Sequence, residues 1–309
     1  MDNPLISIVS PVYGASACLP ELCNRLVESL ESITSDFEIL LVEDYSPDDS
    51  WQVLKQMSKS NHKIKCLRFS RNFGQHYAIA AGLRNAKGKW VVVMDCDLQD
   101  QPEEIQKLYS KAQEGFEIVF ARRSDRKDGI IKRTFSRIFY SVLAYLSDVE
   151  QDHEIANFGI YHKKVITQIN HMPEKVRFFP TMVNWTGFRK TSVTVEHAQR
   201  SHGKSSYNFR KLLKLALDVI LANSDKPMRL MLKLGFSVAT FSFISAIWVS
   251  IRAINNEIPV MGYASLIVSI WLFSGLIIFM LGLTGLYIGK IFSEVKDKPI
   301  YIVDESINL

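Results

Sequence analysis

Trp90-Val91-Val92-Val93-Met94-Asp95-Cys96-Asp97-Leu98-Gln99-Asp100 decides how this chain is read, because a short apolar run stops abruptly at two carboxylates. Three valines in a row, introduced by Gly88 and Trp90, suit an interior strand covered on both faces. Acids at the end of such a strand stand at the rim of a crevice. The pleat alone points Asp95 and Asp97 the same way, and a turn beginning near Cys96 lets both, with Gln99, converge on one hard cation. Mg2+ or Mn2+ held in this manner keeps positions open for substrate phosphates. A solvated strand-to-loop junction has the same short pattern, so the neighbouring segments decide between the two.

Upstream, Leu5–Ser10 reads as a strand and Pro11-Val12-Tyr13-Gly14-Ala15 as the turn that ends it. Leu19, Leu22, Cys23, Leu26 and Leu30 then recur at helical spacing, with Pro20 in the first turn. Phe37–Val42 is a second strand that runs into the acidic turn Glu43–Ser50; Trp51–Ser58 is a helix and Ile64–Phe69 a third strand. Strands and helices alternating at this spacing imply parallel pairing through right-handed crossovers. Ligands of such sheets bind outside the carboxyl ends of the strands. Three successive ends carry polar groups: Tyr13, the Glu43/Asp44 pair, and Asp95/Asp97. Arg71 is a candidate phosphate contact, and Tyr77–Leu83 reads as a helix of small residues that lets backbones approach closely. Downstream come a helix over Glu103–Ala112, a strand over Glu117–Ala121, and the basic run Arg122-Arg123-Ser124-Asp125-Arg126-Lys127. That run reads either as a solvated face or as a loop that neutralises phosphate on the carboxylate edge.

With 309 residues, 47% of them hydrophobic, the chain has room for one large domain and an appendage. The appendage changes solvent. No charge occurs from Gly235 to Ile251 or from Ile258 to Gly289, and a helix needs about 20 apolar residues to span hydrocarbon. Lys233 and Arg252 are placed to snorkel from the shorter run. The net charge of +5 is concentrated at the flanks, with Lys226, Arg229 and Lys233 before the first run and Lys290, Lys296 and Lys298 after the second. The positive-inside tendency puts both flanks, and the N-terminal domain, in the cytoplasm. Cys18, Cys23, Cys66 and Cys96 form no metal-ligand spacing and are expected as thiols. Met1-Asp2-Asn3-Pro4 does not begin a signal peptide. Apolar residues from Ile130 to Leu146 share a helical face, with Lys132, Arg133 and Arg137 elsewhere, and Tyr207–Ala222 repeats the theme. Both suit interfacial helices on anionic lipid, and a core-facing helix fits the first equally well. The expected layout is a domain over 1–206, an amphipathic helix over 207–228, two transmembrane helices within 229–291 (about 233–254 and 262–289) and a tail over 292–309.

The ordered motifs Ser7–Tyr13, Val42–Ser50, Arg68–Gln75, Val91–Gln99, Asn157–Val165, Arg177–Phe188 and Arg200–Tyr207, followed by paired spans, resemble the family-2 glycosyltransferases. Within them the chain is similar to polyprenol-phosphate sugar transferases such as dolichol-phosphate mannose synthase and bactoprenol glucosyltransferases. The resemblance implies an α/β GT-A fold, Rossmann-like with a mostly parallel sheet, followed by a two-helix transmembrane hairpin. It implies that Pro11, Tyr13, Glu43, Asp44, Asp95 and Cys96 line the nucleotide pocket. Asp95, Asp97 and Gln99 would hold Mg2+ or Mn2+ on the donor diphosphate. Arg200 would approach the phosphates beside Gly203, and Arg122 and Arg133 the acceptor phosphate. The implied reaction is inverting transfer from a nucleotide sugar, UDP-linked by expectation, to a polyprenyl phosphate at the cytoplasmic face of a bacterial inner membrane. A glycan or lipid-headgroup acceptor is the alternative, and a nucleotide-binding transport or scaffold protein a more distant one. No nucleic-acid partner is expected; Gly275, Gly282, Gly285 and Gly289 allow a homo-oligomer through the spans. Two departures stand out. Gly14-Ala15 replaces the Asn-Glu common in relatives, and Asn157 stands where many relatives carry an acid, so no general base is available there.

Overall fold

In the computed structural model, residues 3–123, 155–175, 177–196, 198, 224–254 and 262–309 are described. They fall into two compact units, one containing the residues up to 198 together with 298–309, the other 224–297.

The first unit is built on β1 (Ile6–Val12), β2 (Phe37–Glu43), β3 (Ile64–Phe69) and β4 (Trp90–Val93), with α1 (Leu19–Glu31), α2 (Ser50–Ser60) and α3 (Gln75–Asn85) between them. Every residue of β1, β2 and β4 is buried, the polar Ser7, Ser10, Glu38 and Glu43 along with the apolar majority. Alternate side chains divide between two cores. Ile6, Ile8, Ile39, Leu41 and Val92 pack with α1, α2 and α4 (Ile105–Gln113), while Val9, Leu40, Val91 and Val93 face the opposite layer. That layer contains α3, α5 (Lys163–His171) and α6 (Phe179–Trp185). The pairings β4–β1–β2–β3 are all parallel, as expected.

The flanks make the sheet mixed. Its full order is β7-β5-β6-β4-β1-β2-β3-β8, with β5 (Ile118–Arg123), β6 (Ile155–His162), β7 (Lys190–Val195) and β8 (Val303–Ile307). β6 runs antiparallel to both β4 and β5, β5 and β7 are parallel, and β8 closes the far edge antiparallel to β3. Several boundaries move relative to the sequence reading, and those of β1 and β5 bear on the edge. β1 continues through Pro11 and Val12 because β2 pairs with it as far as Glu43, and β5 includes Arg122 and Arg123 because β7 pairs with them. Residues 300–309, read as part of a tail, supply a strand instead.

The second unit contains α7 (Lys226–Ile254) and α8 (Tyr263–Val295). They touch where Gly235 lies under Met280, and the Tyr287 hydroxyl donates to the Ser224 carbonyl at 2.9 Å. Of the two expected spans, one qualifies among the described residues: Ser269–Phe292, with mean hydropathy 2.0, is long and apolar enough to cross a membrane, and none of it is buried. The expected interfacial helices over 130–146 and 207–222 lie outside the described residues.

Small residues let α3 sit close on the sheet: a Cβ at Gly82 would run into Val9 Cγ1 and meet Val42 Cγ2 at 3.4 Å. Val9 is fully buried and β-branched, so it has nowhere to turn. Gly82→Ala is therefore expected to cost about 1–3 kcal/mol by overpacking, more than the roughly 1 kcal/mol of helix propensity it gains. Urea unfolding of the variant checks this as a lower midpoint.

Candidate active site

β1 leads through α1 to β2 on one side, while β4 pairs on its other side, so the chain switches direction between β1 and β4. A crevice opens at the carboxyl ends of strands at such a point. Val9 O accepts from Met94 N at 3.1 Å, so the odd residues of β1 face β4. Pro11 therefore turns its nitrogen, which has no hydrogen to donate, past the last residue of β4, where no ladder partner is needed. Tyr13 follows it, half exposed at the rim.

Across the crevice, Asp95 and Asp97 are half-buried on the turn after β4. Leu98 is buried yet left-handed, with φ 62°, a conformation that costs a non-glycine residue about 1–2 kcal/mol. The turn is tied on all sides. Gln75 Nε2, from the first residue of α3, donates to Asp95 Oδ1 at 2.7 Å, and the Gln99 amide donates to Asp97 Oδ1 at 3.2 Å. The Gln99 carbonyl accepts from Ala198 N at 3.1 Å. Cys96 is buried; its carbonyl accepts from Cys18 Sγ at 3.1 Å. Burial pushes the Cys96 thiol up, against a backbone hydrogen bond from Tyr13.

Glu43 and Asp44, at the end of β2, are buried and engaged in the fold. The Asp44 carboxylate accepts from Phe73 N at 2.7 Å and Gly74 N at 2.8 Å, holding the backbone that leads into α3. Glu43 accepts from Ser46 N and faces Arg68 Nε at 3.3 Å. Side chains after β2 also grip the loop after β1: Ser46 Oγ accepts from Gly14 N, Ser50 Oγ from Ala15 N and Asp48 Oδ2 from Ser16 N, at 3.0–3.1 Å. The Gly14 amide is used here with φ 63°, a left-handed turn that suits glycine.

The antiparallel flank brings further residues to this edge. Arg122 stands opposite Ile155 on β6 and Thr194 on β7, and β6 continues past the end of β4, where Val93 faces Gly159, to Asn157. The structure thus places Pro11, Tyr13, Glu43, Asp44, Asp95, Cys96, Asp97, Gln99 and Arg122 at one edge of the sheet. Arg122 belongs to a strand rather than to the basic loop expected of it. Arg133 and Arg200 lie outside the described residues.

The family model for glycosyl transferase family 2 matches residues 7–170, from the start of β1 to the end of α5. This chain belongs to that family. The family-2 chain is 34% identical to a prophage-derived bactoprenol glucosyl transferase of Shigella flexneri, over 97% of its own length and 98% of that protein. It is 31% identical, over 98% of its length and 94% of the other, to an undecaprenyl-phosphate 4-deoxy-4-formamido-L-arabinose transferase of Proteus mirabilis. These relatives bear out the resemblance to the polyprenol-phosphate branch. The fold matches that of a Mycobacterium tuberculosis glucosyl-3-phosphoglycerate synthase crystallised with Mn2+, UDP and phosphoglyceric acid, with a TM-score of 0.53 at 15% identity over 71% of this chain and 77% of that one.

Three contributors to the glycosyltransferase's edge lie within the motifs Val42–Ser50 and Arg68–Gln75 but had no role assigned from the sequence. Gln75 stands 20 residues from Asp95, and Asp48 and Arg68 act on loops remote from them in sequence. Each is an ordinary polar residue until the sheet is assembled.

Burial pushes the Asp44 carboxyl up to about 6, against the pull of the Phe73 and Gly74 amides, which favour the anion. A carboxyl raised in the fold contributes most stability below the ordinary carboxylate range, and that contribution is lost as pH rises through about 6. His76, pulled down to about 4 by burial, acts with the opposite sign, gaining stability as pH rises toward 6.5. Comparison with Asp44→Asn cancels the His76 effect. Between pH 5 and pH 7.5 the wild type is expected to lose about 1–2 kcal/mol relative to that variant, read from urea unfolding at the two pH values.

Proposed function

We propose that this chain transfers a sugar from a UDP-linked donor to a polyprenyl phosphate, with inversion at the anomeric carbon. The observation that carries the reading is that one edge of the sheet gathers Tyr13 after β1 and the acidic turn of Asp95 and Asp97 after β4, either side of the switch point, with Arg122 at the end of β5 two strands beyond. The Shigella and Proteus relatives, named for bactoprenol and undecaprenyl-phosphate acceptors and aligned over nearly the whole chain, support the acceptor.

The turn after β4 suits a hard divalent ion. Asp95 and Asp97 offer carboxylate oxygens, and the only thiol between them is buried and held neutral, a donor set for Mg2+ or Mn2+ rather than a soft metal. Among the described residues no three acidic, histidine or cysteine side chains form a cage; an ion shared with a diphosphate needs only one or two carboxylates. Such an ion, when bound, neutralises the departing nucleoside diphosphate. Asp95 and Asp97, with Gln99, would hold it, and Gln75 fixes the Asp95 carboxylate. Pro11 and Tyr13 line the nucleotide, with Glu43 and Asp44 shaping the base end through the loops they secure.

No general base is required. A phosphate monoester has a second pKa near 6, so the acceptor is already largely the dianion at neutral pH, and Asn157 at the edge serves for placement, since an amide does not take up the proton. Arg122, with Arg133 and Arg200, orients the acceptor and steadies charge on the leaving group. The apolar stretch Ser269–Phe292, with α7 beside it as a second span, anchors residues 229–291 in the bilayer, and the flanking lysines favour a cytoplasmic catalytic domain over 1–206, with β8 from the 292–309 segment in its sheet, and a juxtamembrane helix over 207–228. The glycines of α8 offer a surface for self-association.

The purified chain in detergent, given a panel of radiolabelled nucleotide sugars, Mg2+ or Mn2+ and a short polyprenyl phosphate, is expected to move label into an organic-phase product labile to mild acid. Label retained on a glycan instead would assign a different acceptor. Asp97→Ala is expected to lower turnover about a hundredfold or more, and chelation to abolish it until the ion is restored. Undiminished turnover under chelation with both aspartates replaced by alanine refutes the metal role.

A further inference from the structure

The last strand is joined to the donor edge by a row of charges. Glu43 on β2 stands in register with Arg68 on β3, and Arg68 with Glu305 on β8. Arg68 Nε lies 3.3 Å from Glu43 Oε2 as an ion pair, both atoms shut off from solvent and neither making a hydrogen bond among the described residues, and Arg68 Nη1 lies 3.5 Å from Glu305 Oε1. The same Glu305 carboxylate accepts from Trp51 Nε1 at 3.2 Å and from Lys55 Nζ at 2.6 Å, both on α2. The guanidinium also packs over the rings of Tyr45 and Trp51, at 5.6 and 5.8 Å.

These contacts converge on the loop between β2 and α2. At its start Glu43 holds the Ser46 amide, and Ser46 in turn receives the Gly14 amide. At its end Ser50, the residue before Trp51, receives the Ala15 amide and donates to Asp48 at 2.6 Å. Tyr45, within the loop, is left-handed at φ 54° and half exposed, a conformation that persists only where the surroundings over-determine it.

We propose that the C-terminal strand is a working part of the donor pocket, with Glu305 the positioning residue that secures both ends of the 44–50 loop, through Arg68 and Glu43 at one end and through Trp51 and Lys55 at the other. The inference rests on the nucleotide-sugar reading of the edge. It assigns residues distant in sequence from every motif, and following the apolar helices, to the affinity for a nucleoside diphosphate.

The test measures UDP binding with Mn2+ by calorimetry, and donor and acceptor KM separately, on the full chain. Glu305→Gln is expected to weaken UDP about five- to tenfold and raise donor KM to match, as for residues coupled in one network, while kcat and acceptor KM stay near wild type. Glu305→Asp, which keeps the charge, is expected within a factor of about two of wild type, and Asp304→Asn, on the same strand but exposed, unchanged. UDP binding unaltered by Glu305→Gln overturns the proposal alone. Equal rises in donor and acceptor KM with a lower Tm overturn it in favour of a merely structural strand. A wild-type chain that binds no nucleoside diphosphate overturns the donor reading, and this inference with it.

Discussion

Burial of both faces of the parallel strands β4, β1 and β2 is the constraint on which the molecule depends. Their apolar side chains pack into cores on both faces, under α1, α2 and α4 on one and under α3, α5 and α6 on the other. Apart from Ser7, Ser10 and Glu38, of which Ser7 donates to Glu38 within the sheet, the polar side chains of these strands gather where the ladder stops. Because neighbouring parallel strands all stop on the same side, Tyr13, Glu43, Asp44, Asp95 and Asp97 arrive at one edge from segments more than 80 residues apart in the chain. The reversal of winding between β1 and β4 then parts their following segments and leaves a crevice for a ligand.

The acids at that edge divide their labour by burial. Glu43 and Asp44 are deeply buried, and each carboxylate receives backbone amides or a guanidinium, so their first effect is to fix the loops around the crevice. Asp95 and Asp97 lie half-buried on a strained turn whose backbone is pinned by Cys18 and Ala198 and whose Asp95 carboxylate is held by Gln75. A rigid turn with hard oxygens near the surface is the arrangement a diphosphate-bound cation needs, because preorganised charge loses little on meeting a developing anion. The lipid phosphate proposed as acceptor brings its own nucleophilic charge. What remains for the protein is placement, and an amide at position 157 is compatible with that task.

Much of the fold is legible in the local pattern of residues. Apolar runs such as Ile39–Val42 and Val91–Met94 are too short and too β-branched for helices, and each ends in polar residues, so strand identity, parallel pairing and the carboxylate edge follow from that pattern. The small residues of α3 announce close packing, which Gly82 against Val9 displays. Less is legible on the antiparallel flank. β6 and β7 carry weak alternation, and Arg122 and Arg123 read as loop because only pairing with Thr194 and Val195 makes them strand. Val303–Ile307 contains two acids in five residues and gives no sign of joining a sheet; its place follows from an open edge at β3, which a neighbouring chain would otherwise be free to pair with.

The amino-acid sequence alone determined which segments are apolar enough to be buried, where each ends in a carboxylate, and where the chain carries uncharged runs flanked by lysines. These properties are local, set by side-chain chemistry at a spacing of a few residues. Tertiary structure decided which acids are buried and hold loops and which lie half-buried on the turn after β4, that Gln75 steadies Asp95, and that Glu305 meets Arg68 across the sheet. Those outcomes depend on contacts between residues 20 to more than 200 positions apart, and distances of that kind exist only once the strands have chosen their neighbours.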